Sequence, residues 1–117
     1  MGTASKKGRI GEDIAAKFLA SHGYEIIERN YRCAYGEIDI IARKENITVV
    51  AEVKMRREGS AFPGYAAVGY TKRDKLRKTA ALWLSGQSEE HIIRFDVIEI
   101  YTDGVQTRIN HIENAFY

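Results

Sequence analysis

Apolar residues recur with two different periods along this chain, and the change of period separates helices from strands. Between Lys7 and Ser21 the spacing is helical, because Ile10, Ile14 and Phe18 lie four positions apart and Ala15 and Leu19 widen the same apolar stripe. This pattern predicts a first helix that stops before Gly23, since glycine is common just beyond a helix C-terminus.

Extended segments rich in β-branched and aromatic residues follow this helix. Strands are predicted over residues 24–31, 36–41, 49–54 and 92–101, with a last strand from Val105 to about 112. A short turn separates the second and third strands, which predicts an antiparallel hairpin, and Asp103-Gly104 predicts another hairpin turn.

A second helix is predicted over residues 72–85, with Thr71 as its N-cap. Its apolar face consists of Leu76, Ala80, Trp83 and Leu84. The element order is therefore helix, three strands, helix, two strands, which predicts an α/β protein with a mixed sheet flanked by helices.

Composition narrows the class of protein only a little. A length of 117 residues predicts one domain over 1–117, in which residues 1–6 are small, polar and frayed. The net charge of +2 indicates no partner by itself, so any nucleic-acid argument depends on local clustering. One cysteine, the lack of an apolar run of about 18 residues and the lack of a signal-peptide pattern lead us to expect a cytoplasmic location.

Charged residues interrupt the most apolar strands of the chain. In the second strand, period-two alternation places Glu37 and Asp39 on one face and Ile38 and Ile40 on the other. Burial of an unpartnered charge costs about several kcal/mol per ion. We therefore expect these charges to meet one another, a metal ion or a substrate.

The third strand adds Glu52 and Lys54 on one face, and twelve residues separate Asp39 from Glu52. Two carboxylates on neighbouring strands are suited to Mg²⁺ or Mn²⁺, and the lysine could orient a water molecule or offset negative charge on a phosphate. Glu12, at the edge of the first helix's apolar stripe, could add a carboxylate or could simply be exposed. The alternative for the strands is a ladder of ion pairs on a solvated sheet face.

Basic residues cluster in the N-terminal half of the second helix, where the helix dipole disfavours cations: Lys72, Arg73, Lys75, Arg77 and Lys78. This placement favours phosphate binding over a solvated face, and Arg56 and Arg57 after the third strand extend the set. Three aromatic residues between the third strand and this helix could stack on bases or fasten a loop to the core: Phe62, Tyr65 and Tyr70.

Other kinds of site are less well supported. The three histidines lack metal-ligand spacing, and no glycine-rich phosphate loop follows a strand. A glycosidase carboxylate pair would leave Lys54 and the basic helix without a role.

An ordered set of motifs over about residues 8–113 resembles the YraN-type family of small bacterial endonuclease-like proteins. The set comprises Gly11-Glu12, Asn30-Tyr31-Arg32, Gly36-Glu37-Ile38-Asp39-Ile40-Ile41-Ala42, Glu52-Val53-Lys54, Lys72 and Arg94-Phe95-Asp96-Val97. That family is similar to archaeal Holliday-junction resolvases and to the PD-(D/E)xK nuclease superfamily. Two features depart from the family pattern: Val50-Ala51, where a phenylalanine is frequent, and the Gly- and Tyr-rich residues 64–71.

The resemblance implies a restriction-endonuclease-like αβββαβ core and a metal-dependent endonuclease acting on DNA, including branched or junction DNA. Asp39 and Glu52 would be the metal ligands, Lys54 would handle water, and Glu12 would be the accessory carboxylate. A nucleic-acid-binding or scaffold protein with this fold and little hydrolysis stays open, as does a protein-binding role for the basic helix. A homodimer also stays open.

Overall fold

The computed structural model of this protein describes residues 6–59, 69–88 and 92–116. Two helices and five strands occur in the predicted order: α1 (Lys6–Ser21), β1 (Glu25–Cys33), β2 (Gly36–Lys44), β3 (Ile47–Arg57), α2 (Tyr70–Ser85), β4 (Ile92–Thr102) and β5 (Thr107–Phe116). The predictions for Phe62 and Tyr65 fall outside the described residues, whereas Tyr70 begins α2 with 80% of its surface exposed.

The five strands form one mixed sheet in the order β1-β2-β3-β4-β5. Neighbouring strands are antiparallel except β3 and β4, which are parallel and are connected through α2. Both predicted hairpins are therefore present. The α1-β1-β2-β3-α2-β4 order gives the αβββαβ core, and β5 extends its sheet.

The two helices pack on opposite faces of the sheet. On one face α1 contributes Ala15 and Leu19 to a core with Tyr24 and with residues of β2, β3 and β4, namely Ile40, Ala42, Val49, Ala51, Ile98 and Ile100. On the other face α2 packs on a second core, formed by Ile38, Ile41, Val50, Leu76, Ala80, Trp83, Val97 and Phe116. Successive residues of β3 thus pack alternately in the two cores, because both faces of this strand are covered.

The predicted apolar stripe of α1 packs on the sheet, but its burial is uneven. Ala15 and Leu19 are fully buried, whereas Ile10 is 46% exposed. Gly11 lies in van der Waals range of β3, because a Cβ atom added there would be 3.5 Å from Cβ of Met55. The next residue, Glu12, is buried.

The prediction that Ile38 and Ile40 share a face is wrong. Ile38 packs in the core under α2, and Ile40 packs in the core under α1. The strict alternation fails at the intervening Asp39, opposite a β1 residue, Asn30, whose φ of 56° is left-handed. This local irregularity turns the start of β2 away from the regular pleat.

Several predicted boundaries also differ from the structure, among them the starts of α2 and β5. Gly69, in extended conformation and without a side-chain capping hydrogen bond, is the N-cap of α2, and Thr71 lies inside the helix. At the β4–β5 turn the Asp103 carboxylate accepts hydrogen bonds from the backbone N–H groups of Val105 and Gln106, both at 2.8 Å. These bonds prolong the turn, so β5 begins at Thr107 instead of Val105.

Candidate active site

The candidate site lies where β2 and β3 separate. Between the described residues of these strands, the paired register runs from Lys44–Ile47 to Ile40–Ala51 and stops there, while β2 continues along β1 as far as Gly36. Asp39 is the first residue past this point, and its Oδ2 accepts a 2.8 Å hydrogen bond from the backbone N–H of Val53. A hydrogen bond to a side chain thus takes the place of the backbone hydrogen bonds between β2 and β3, and it fixes the Asp39 carboxyl group against β3.

Glu52 and Lys54 project from β3 into the same cleft, on the face covered by α2. The Glu52 side chain is 6% exposed, and Lys54 is half-buried. Glu52 forms a hydrogen bond with Asp39. Because Glu52 is buried, the alternative of a solvated ion-pair ladder is wrong for these strands.

Glu12 reaches the same region from α1. Its carboxylate is buried, and its charge is among those acting on Asp39. The Glu12 Oε1 atom has no hydrogen-bond partner among the described residues, and Nη2 of Arg29 is 3.8 Å away. Arg29 makes its close contact, 2.7 Å, with the neighbouring Asp13. The alternative of an exposed glutamate at this position is therefore wrong.

The N-terminal half of α2 covers the cleft with basic side chains. Lys72 forms an ion pair with Glu52, with 2.8 Å between Nζ and Oε2. A cavity of about 470 Å³ separates the helix from β2 and is lined by Gly36, Glu37, Asp39, Glu52, Thr71, Lys72, Lys75 and Leu76. Three carboxylates of the strands and two lysines of the helix therefore face one cavity large enough for a phosphate group.

The pKa values of the two strand carboxyl groups are shifted in opposite directions. Burial, together with the hydrogen bond and negative charge of Glu52, raises the pKa of Asp39 to about 9. Burial also acts to raise the pKa of Glu52, but hydrogen bonds from Asp39 and Lys72 outweigh it and hold that pKa below its ordinary value. Two carboxyl groups this close share a proton at neutral pH in the absence of another cation.

The pKa values of the two lysines of the cleft are also shifted in opposite directions. Burial and the neighbouring Lys72 lower the pKa of Lys54. Burial opposes the charge of Lys72, but its hydrogen bond and ion pair with Glu52 raise its pKa overall. Lys72 is therefore the more firmly charged of the two, and Lys54 is the better placed to exchange a proton.

The donor set suits a hard divalent cation. Asp39 and Glu52 offer carboxylate oxygens within one cleft, and a cation would allow both to ionise. Across residues 6–59, 69–88 and 92–116, no group of three or more carboxylate, histidine or cysteine side chains forms a ready ligand set. Mg²⁺ usually keeps several water ligands beside one or two carboxylates, so two protein ligands are sufficient.

Not all predicted basic residues face this cavity. Arg73 lies over the ring of Phe116, with its guanidinium carbon 5.4 Å from the ring centre. Lys78 forms an ion pair with Asp74 at 3.3 Å on the helix surface. Arg56 is half-buried and Arg57 is exposed on β3 beyond Lys54. The predicted set therefore divides into two lysines within the cavity and a wider group around it.

A second polar network adjoins Lys54 and was missed by the sequence reasoning. Glu99 of β4 lies beside Lys54 in the parallel register and is 1% exposed. Its carboxylate accepts hydrogen bonds from Tyr101 Oη at 3.0 Å and from Asn110 Nδ2 at 2.7 Å. The sequence signal that could have identified Glu99 is an acidic residue inside an apolar strand, the same signal that identified Glu52. Burial and the hydrogen bond to Glu99 raise the pKa of Tyr101.

The fold and site define a small mixed α/β protein with a carboxylate–lysine cleft at the point where two central strands diverge. Residues 11–100 match the model of the uncharacterised protein family UPF0102, and the chain belongs to this family. The YraN-type resemblance is therefore confirmed.

Relatives from several bacteria are similar over most of their length. A UPF0102 protein of Thermodesulfovibrio yellowstonii is 43% identical over 94% of this chain and 95% of its own. Another from Geobacter metallireducens is 44% identical over 93% of this chain and 90% of its own. A third, from Pelobacter propionicus, is 46% identical over 93% of this chain and 81% of its own.

No helix in the described part of the chain is long and apolar enough to cross a membrane.

Proposed function

We propose that this protein is a divalent-metal-dependent endonuclease that hydrolyses phosphodiester bonds in DNA. The observation that carries the proposal is the cleft between β2 and β3, where the hydrogen-bonded Asp39 and Glu52 adjoin Lys54. A protein that only binds nucleic acid has no need to crowd two carboxyl groups at the cost of their mutual repulsion.

In this proposal Asp39 and Glu52 hold the cation, with Glu12 as a further carboxylate near Asp39. The cation supplies charge neutralisation at the phosphate and makes a water molecule more acidic. The hydrogen bond from Val53 N–H fixes the orientation of Asp39 without using a second side chain. Lys54, half-buried and with a lowered pKa, is placed to orient the attacking water and to exchange a proton with it.

The substrate backbone would enter along the α2 side of the cleft. Lys72 and Lys75 line the cavity, and Arg56 and Arg57 lie farther along β3. Lysine and arginine contacts of this kind neutralise phosphates without reading bases, so they favour recognition of DNA shape over sequence. Branched DNA is the first substrate form to test because of the resemblance to junction resolvases.

The test is a combined binding and cleavage assay with a four-way junction and a linear duplex. Fluorescence anisotropy gives affinity, and gel analysis gives cleavage in Mg²⁺ and in Mn²⁺. For Lys54→Ala we expect DNA affinity within about threefold of the wild type and cleavage slower by about 10²-fold or more, because its role belongs to the transition state. Absence of binding to either DNA at low salt would contradict the proposal.

One observation favours a second candidate function, a DNA-binding protein without hydrolysis. Lys72 already neutralises Glu52, which leaves a stable cleft in the absence of metal. Binding of the junction without cleavage in Mg²⁺ or Mn²⁺ would support this second candidate.

A further inference from the structure

Lys72 holds the position of a cation in the carboxylate cleft. Its Nζ lies 2.8 Å from Oε2 of Glu52, a carboxylate that is 6% exposed. A carboxylate at this depth needs a positive partner, because an unpaired buried charge is costly. The charge of Lys54 also acts on Glu52, so this carboxylate has two positive neighbours in the cleft.

The contact competes directly with a metal ion. A cation bound between Asp39 and Glu52 would need oxygen atoms of Glu52, and one of these is engaged by the ammonium group. Two cations on one carboxylate repel each other, which weakens the contact of Lys72 once a metal ion is bound.

Lys72 is able to leave this position without disturbing the fold. Its side chain is 44% exposed and belongs to the first turn of α2, at the mouth of the cavity. The aliphatic stem of a lysine rotates freely. Rotation away from Glu52 would keep the ammonium group beside the cavity, within the space that a phosphate would occupy.

We propose that Lys72 is a metal-dependent phosphate contact. In the metal-free protein it neutralises Glu52, and when a divalent cation replaces it there, the released ammonium group binds a DNA phosphate. The proposal rests on the function proposed above and adds a defined order: the metal ion makes Lys72 available to DNA, and DNA in turn favours the metal-bound state.

Lys75 provides a matched control within the same helix. It lies one turn beyond Lys72 and lines the same cavity, and among the described residues the structure gives it no ion pair within 4.0 Å. Replacement of either lysine removes one positive charge from the cavity. Only Lys72 is expected to respond to the presence of metal.

The first experiment is calorimetric titration of Mn²⁺ into the wild type, Lys72→Ala and Lys75→Ala without DNA. Removal of the competing ammonium group should tighten Mn²⁺ binding in Lys72→Ala by about tenfold, and Lys75→Ala should change it by less than about threefold. Weaker or unchanged Mn²⁺ binding in Lys72→Ala would overturn the inference, even if the wild type binds metal and cleaves DNA.

The second experiment measures junction binding by anisotropy in Ca²⁺, used as a metal probe, and in EDTA. Lys72→Ala should lose about tenfold in affinity in Ca²⁺ and less than about twofold in EDTA, whereas Lys75→Ala should lose similar factors in both. Lys72→Arg should behave like the wild type and exclude a helix-folding defect. Equal losses in Ca²⁺ and EDTA for Lys72→Ala would overturn the inference while leaving the nuclease proposal intact, whereas no DNA binding by any variant would overturn both.

Discussion

Each face of the sheet buries one aspartate, and the two aspartates have opposite kinds of hydrogen-bond partner. On the α1 face, Asp96 is fully buried and receives hydrogen bonds from Arg94, His111 and the backbone N–H of Asn114. On the α2 face, Asp39 is hydrogen-bonded to another carboxyl group and to the backbone of Val53. The Asp96 carboxylate is thus surrounded by hydrogen-bond donors, whereas Asp39 lies beside a second acidic group.

The pKa directions express this difference. Burial acts to raise the pKa of Asp96, but the hydrogen bonds of His111 and Arg94 outweigh it, so the pKa is lowered. Burial and Glu52 act together on Asp39 and raise its pKa to about 9. A buried aspartate that is fully partnered stabilises its fold, and one that is crowded by another acid is typical of a functional site.

The largest effect we expect is on stability, from Asp96→Ala. This change leaves Arg94 and His111 without their shared carboxylate and should lower the free energy of unfolding by about 3–5 kcal/mol. Urea denaturation measures it, and Asp39→Asn is the matched control, expected within about 0.5 kcal/mol of the wild type or above it. If the two variants were equally destabilised, the two aspartates would not differ in role.

A second prediction concerns metal affinity, which should depend on the carboxylates of the cleft. Asp39→Ala and Glu52→Ala should each weaken Mn²⁺ binding by about 100-fold, because each removes one of two protein ligands. Isothermal calorimetry measures this loss. Asp13→Ala, an exposed carboxylate of α1, is the control and should retain wild-type affinity. Unchanged affinity in both site variants would remove the metal assignment.

A third prediction concerns the salt dependence of DNA binding. Lys75 lines the cavity, so Lys75→Ala should flatten the slope of log affinity against log salt by about one unit. Lys78 is paired with Asp74, so Lys78→Ala should change the slope by less than half as much, about 0.3 units. The comparison is made by anisotropy at four or more salt concentrations. Equal slopes for the wild type and Lys75→Ala would place DNA elsewhere on the surface.

The last prediction concerns the pH dependence of stability without metal. A carboxyl group with a raised pKa stabilises the fold fully below its unfolded pKa of about 3.9, and this contribution is lost as pH rises toward the folded value. The wild type should therefore lose stability steadily between pH 5 and pH 9 through Asp39, whose folded pKa is about 9.

The same pH series separates the two aspartates. Asp39→Asn should flatten the profile between pH 5 and pH 9. Asp96 has a lowered pKa, so its contribution is present above the unfolded pKa and is lost as pH falls below about 4. That acid-side loss should persist in Asp39→Asn, and its disappearance there would contradict the separation. Thermal melting in EDTA at a series of pH values measures both limbs.

Sequence periodicity by itself determined the element order and pointed to the principal candidate site residues. The helical spacing of α1, the apolar strands and the turn at Asp103-Gly104 are local signals, and local signals survive into the folded state. Asp39, Glu52 and Lys54 were found because charges inside apolar strands conflict with burial. That conflict is visible without any knowledge of which strands are neighbours.

Tertiary structure alone decided how those residues meet. The end of β2–β3 pairing after Ile40 brings Asp39 to the backbone of Val53, and no local pattern records where two strands separate. Glu12 is buried and Ile10 is 46% exposed, although helical periodicity favoured Ile10 as the contact. Long-range packing also joins Lys72 to Glu52 and Asn110 to Glu99, because only the folded sheet and its crossover helix make those residues neighbours.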